Sequence, residues 1–135
     1  VASVIEYKAN DLTKFVINYL TLHGHFASRI QSQGQYHPKH SRWVKSKVRK
    51  GIGDIIACIG GKFVMIEIKA GKDRQSEYQK QVEKDVNDSG GYYWIIRQPD
   101  DFLTNLSRLQ AGYSHSHAQP DGDNQKPVRK PKKRA

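Results

Sequence analysis

Two apolar runs, Asp54 to Ile59 and Lys62 to Lys69, are joined by Gly60-Gly61, and this segment limits the fold more than any other. A two-residue loop of residues that tolerate positive φ is the preferred connection of a β-hairpin, so the segment predicts two antiparallel strands. Ile55, Ile56, Cys58, Phe63, Val64, Met65, Ile66 and Ile68 leave both faces apolar, which fits central strands covered by helices on either side. On the same reading Cys58 is a small core residue rather than a nucleophile.

The glycine turn also sets a register. If Ile59 faces Lys62, counting back along both strands places Asp54 across from Glu67. Lys69, two residues beyond Glu67, projects from the same face. Two carboxylates and an ammonium thus converge at one end of the hairpin. Opposed like charges on a sheet are unfavourable unless a cation lies between them. An exposed ion pair, worth only about 0–1 kcal/mol, would not account for charges set in an apolar run. Mg²⁺ takes oxygen ligands, keeps several waters and uses one or two carboxylates, whereas zinc would call for His or Cys. The pattern therefore points to Mg²⁺, with Mn²⁺ able to substitute, and to metal-assisted phosphodiester hydrolysis.

Around the hairpin, Leu12, Phe15, Val16, Tyr19 and Leu20 recur at three- and four-residue steps, predicting a helix from Ser3 to His23 that Gly24 ends. His25 to Gln31 alternates as a short strand, and Ser32 to Lys50 reads as a polar stretch. Ser76 to Ser89 predicts a second helix through Tyr78, Val82 and Val86. Tyr92 to Arg97 predicts a strand, and Pro99 opens a last helix carrying Phe102, Leu103, Leu106 and Leu109. The expected order is α-β-β-β-α-β-α, an α/β chain forming one domain over residues 1–111. The Ser-, His-, Gln-, Pro- and Lys-rich segment 112–135 reads as a disordered basic tail. The histidine pairs His23/His25 and His115/His117 are too loosely placed for a metal site and read as surface or loop residues.

The net charge of +10 on 135 residues implies a polyanionic partner, because a basic surface gains affinity for phosphates through counterion release. In the polar stretch, Lys39, Arg42, Lys45, Lys47, Arg49 and Lys50 occur with no acidic residue between them, and Tyr36 and Trp43 stand among the charges. This segment leads directly into Asp54. It is expected to hold a phosphate backbone beside the metal, with Trp43 or Tyr36 stacking on an exposed base. A single cysteine favours a reducing, intracellular setting, and the absence of a long apolar window or signal-peptide layout predicts neither membrane insertion nor export.

Gly51-Ile52-Gly53-Asp54, then Glu67-Ile68-Lys69, then Ser76-Glu77-Tyr78-Gln79 opening a helix, resemble the PD-(D/E)XK nuclease superfamily, specifically its virus-type replication-repair nuclease (VRR-NUC) branch. The resemblance spans about residues 3 to 98; Gly53 stands where the family usually has proline. It implies a restriction-endonuclease-like αβββαβ(α) core with a central mixed four-stranded sheet flanked by helices. It also implies Asp54, Glu67 and the main-chain carbonyl of Ile68 as metal ligands, Lys69 as the catalytic lysine and Gln79 as a supporting residue. Glu6 matches the acidic residue the family often carries on its first helix, although Ser3-x-x-Glu6 fits a capping box equally well; Ser76-x-x-Gln79 is likewise a capping box.

The function implied is a structure-selective DNA endonuclease of repair, recombination or replication, acting on flaps or Holliday junctions in a bacterial or phage-infected cell. A nuclear setting fits if the source is eukaryotic. Resolving a four-way junction requires two active sites, hence a homodimer. The competing readings are a DNA-binding or scaffolding module on the same fold without hydrolysis, and an RNA-processing nuclease.

Overall fold

A computed structural model describes residues 6–30, 35–45 and 47–112. The chain forms α1 (Ala9–Leu22), β1 (Phe26–Arg29), β2 (Gln35–His37), a 3₁₀ turn (Pro38–His40), β3 (Arg42–Val44), β4 (Ile55–Ile59), β5 (Lys62–Ile68), α2 (Glu77–Asp88), β6 (Tyr92–Ile96) and α3 (Pro99–Gln110). This is an α/β architecture whose main sheet has the strand order β1-β4-β5-β6. β1 and β5 both run antiparallel to β4, while β6 runs parallel to β5 after the α2 crossover. The sheet is therefore mixed, as expected.

The hairpin follows from its turn. Gly60 and Gly61 have φ of +57° and +78°, and Ile59 pairs with Lys62. Alternation then assigns the faces. Ile55, Ala57, Ile59, Val64, Ile66 and Ile68 pack with Leu12, Val16 and Leu20 of α1 and with Phe102, Leu106 and Leu109 of α3. The opposite face carries a smaller core in which Met65 and Tyr93 meet Val82 of α2. Because Glu67 and Lys69 continue the row of Met65, they lie on the α2 face, at the end of the sheet away from the glycine turn.

Three expectations are corrected. Cys58 is exposed, not part of the core. It lies between Phe26 and Phe63 in the register, and these are also exposed, because the α2-side core is built around Met65, Val82 and Tyr93, beyond this row. The polar stretch is not merely a loop: β2 and β3 pair antiparallel as a second, two-stranded sheet, with Tyr36 opposite Trp43. Helix α1 begins at Ala9, with Lys8 at the N-cap and no side-chain cap, so Glu6 precedes the helix instead of standing on it. Ser3 of the alternative capping box lies outside the described residues, as does the expected tail beyond Gly112 with His115 and His117. Among the described residues no helix is long and apolar enough to cross a membrane.

Candidate active site

The ladder between β4 and β5 ends at Ile55 opposite Ile66. Asp54 then departs from it: its N–H donates to the Ile66 carbonyl at 2.9 Å, one residue out of the ladder register. Its side chain turns across the neighbouring strand, where Oδ2 accepts the N–H of Ile68 at 2.7 Å. Asp54 is thus held by β5 at two points that bracket Glu67. The expected facing of Asp54 and Glu67 in the ladder is thus replaced by an anchor to the main chain on both sides of Glu67.

Two glycines let the chain reach this place. A Cβ at Gly51, where φ is +87°, would meet the Tyr78 backbone carbon at 2.5 Å, and one at Gly53 would meet Met65 Cγ at 2.6 Å. The segment entering Asp54 therefore lies directly against the first turn of α2 and against β5. A side chain at Gly51 would push the segment off the α2 backbone, and one at Gly53 would require Met65 to move.

Glu67 is 3% exposed and Lys69 is 8% exposed. Such burial is costly unless every charge has partners, and here each has them. Glu67 Oε1 accepts from Gln79 Nε2 at 2.8 Å and lies 3.5 Å from Lys69 Nζ, while Oε2 accepts from the Tyr93 hydroxyl at 3.2 Å. Lys69 Nζ donates to Gln79 Oε1 at 2.9 Å. The same Gln79 oxygen accepts the Ser76 N–H at 2.9 Å, and Ser76 Oγ accepts the Gln79 N–H at 3.2 Å. Gln79 therefore closes the capping box and orients both Glu67 and Lys69 with one amide. The capping box and the contacts with Glu67 and Lys69 are made by the same side chain.

Electrostatics follow from this packing. Burial first, and then the charge of Asp54, push Glu67 up from 4.5 to about 7, against the opposing pull of Lys69 and the Tyr93 hydrogen bond. Burial and then the Glu67 charge raise Tyr93 well above the ordinary phenol range, so its hydroxyl stays protonated and donates. Behind it, Gln75 Nε2 lies 3.5 Å from Glu83 Oε1, and burial raises Glu83 as well. Sequence pattern assigns Tyr93 only to an aromatic core and sheet cluster. Its place opposite Met65, diagonal to Glu67, is a product of the parallel β5–β6 register.

The oxygen donors gathered at this end of the sheet are the side-chain carboxylates of Asp54 and Glu67. Among the described residues no group of three or more His, Cys, Asp or Glu side chains could hold an ion, so exposed Glu6 does not join Asp54 and Glu67. Two carboxylates without His or Cys fit a hard, largely hydrated ion such as Mg²⁺ or Mn²⁺ and do not fit zinc. Glu67, whose carboxyl is destabilised in its charged form by burial and by Asp54, is the group such an ion would relieve.

The cations expected to face nucleic acid separate into two groups. Arg49 pairs with Asp85 of α2, and Lys50 Nζ lies 4.4 Å from the centre of the Tyr78 ring, so both help fasten the incoming segment to the body. Lys39 in the 3₁₀ turn, Arg42 in β3, and Lys45 and Lys47 beyond it are exposed and have no ion-pair partner among the described residues. Trp43 stands beside Arg42 on β3. No protein-family model matches the chain, and no curated protein matches it.

Proposed function

We propose that the protein is a Mg²⁺-dependent DNA endonuclease of the PD-(D/E)XK type, similar to the VRR-NUC branch. The single observation that carries this reading is the buried Glu67–Lys69–Gln79 cluster beside main-chain-anchored Asp54. A purely structural ion pair has no need of a second carboxylate that raises the cost of charging the first. Asp54 and Glu67, with the Ile68 carbonyl, would hold the ion, which when bound supplies a more acidic water and neutralises phosphate charge.

The chain's own groups do the rest. Lys69, held by Gln79 at 2.9 Å, keeps its ammonium fixed near Glu67, where it can orient a water or offset charge gathering on phosphate oxygens. Tyr93 and Gln79 hold the two oxygens of Glu67 and so fix its plane. Exposed cations upstream of Asp54 attract the backbone of the substrate. In this reading the substrate is branched DNA, a flap or four-way junction, and a homodimer supplies the paired nicks that junction resolution needs.

The test is incubation with a four-way junction, a flap and a plain duplex in Mg²⁺, Mn²⁺ or EDTA. Cleavage dependent on either ion is expected. Salt-sensitive binding with no cleavage in either ion would select a non-hydrolytic DNA-binding module instead, and preference for matched RNA would select an RNA-processing nuclease.

A further inference from the structure

The β2–β3 ribbon presents Tyr36 and Trp43 directly opposite one another, which places both rings on one face. They are 56% and 65% exposed. A lone two-stranded ribbon is marginal in water, and aromatic pairs ordinarily stabilise such a ribbon by being covered. Here the largest apolar side chains are left open. Lys39, Arg42 and Lys45 of the same segment are also exposed, and no acidic residue occurs between Asp11 and Asp54. Open rings on a segment that carries only one sign of charge do not suit an apolar protein surface. They suit a ligand that is itself an aromatic stack on a polyanion.

The segment that carries the ribbon leaves and re-enters the described body beside Asp54. Ile30, the residue after β1, donates its N–H to the Asp54 carbonyl at 2.8 Å. The chain that leaves at Ile30 to form the ribbon thus returns to the same point at Asp54.

We propose that the β2–β3 ribbon is the branch-reading element, stacking Tyr36 and Trp43 on DNA bases left unpaired near the scissile phosphate. In continuous duplex every base face is covered by its neighbour; at a flap or junction some faces are open, and an aromatic ring can stack on them. The rings therefore discriminate branched from continuous DNA, while the cations add affinity for both. The placement beside a scissile phosphate rests on the nuclease reading; the stacking does not.

The experiment compares the wild type, Tyr36→Ala/Trp43→Ala and Tyr36→Phe/Trp43→Phe on a single-stranded flap and on a continuous duplex of the same sequence. Cleavage is measured in Mg²⁺ and binding by anisotropy in EDTA. The alanine pair should lose between about 5- and 150-fold per stacked base on the flap. Duplex cleavage should fall far less than flap cleavage, and the phenylalanine pair should retain most of the flap preference. Equal loss on both substrates, or none on the flap, overturns the proposal. If the wild type cuts neither substrate, the nuclease reading fails alone, and anisotropy decides the ribbon's role. A flap preference abolished by the alanine pair supports it; one unaffected overturns it, as does an aromatic-dependent preference confined to an RNA flap.

Discussion

The candidate site and the β2–β3 ribbon handle charge in opposite ways. At the site, Glu67 and Lys69 are buried, and each is held by a named donor or acceptor, with Gln79 serving both. On the ribbon, Lys39 and Arg42 extend into solvent without an ion-pair partner among the described residues. Burial fixes geometry in advance at the expense of stability; exposure leaves the charges available for a partner that arrives from solution. A nuclease needs both, one to place reacting atoms and one to collect substrate.

If that contrast is right, the largest effects come from the buried group. Asp54→Ala, Glu67→Ala and Lys69→Ala should each lower single-turnover cleavage by roughly 10²–10⁴-fold while changing DNA affinity little. Gln79 offers a sharper division. Gln79→Ala removes cap and orienter together, whereas Ser76→Ala removes only part of the cap, costing about 1 kcal/mol. Cleavage should fall about 10–100-fold in the first variant and stay near wild type in the second, measured beside thermal unfolding of both. Equal losses of activity would reduce Gln79 to a helix cap.

The ribbon should respond in binding instead. Replacing Lys39, Arg42, Lys45 and Lys47 by Ala together should weaken DNA binding and lower the slope of log affinity against log salt by about 0.9 for each phosphate no longer neutralised. The rate constant at saturating substrate should remain. A fall in that constant with an unchanged salt slope would place these residues in the chemistry and dissolve the comparison.

A further effect is on stability. Glu67 sits at about 7 in the folded protein against an ordinary 4.5, so the native state holds the extra proton between those values. The associated stability is complete below about pH 4.5 and is lost as pH rises through about 7, an effect on the order of 3 kcal/mol. In EDTA, the denaturation midpoint of the wild type should decline across that window relative to Glu67→Gln, which lacks the titrating group. Parallel curves for the two proteins would show that Glu67 keeps its ordinary acidity.

The main sheet is legible in the sequence because its signals are about burial. The Gly60-Gly61 turn sets the hairpin register, and the apolar spacing of Leu12, Val16 and Leu20 marks the helix face that packs on it. Glu67 and Lys69 follow from that register and the site role of Gln79 from the family resemblance, whereas the one-residue shift of Asp54 is not readable from the turn. What periodicity does not report is anything left open. The strands β2 and β3 form although Tyr36, Arg42, Trp43 and Val44 all stay exposed, so alternation of buried and open positions gives no sign of a ribbon. Cys58 looks internal because its strand is apolar, yet α2 packs against Met65 and Tyr93, one row further along the sheet. Tyr93 is hidden for another reason: its hydroxyl reaches Glu67 only through the pairing of β5 with β6, strands separated by a helix.

The most direct test is electron paramagnetic resonance of Mn²⁺ titrated into the wild type, Asp54→Ala and Glu67→Ala. One ion bound by the wild type and lost from both variants is the expected result. An ion retained by either variant, or no binding by the wild type, would contradict a shared site between these two carboxylates.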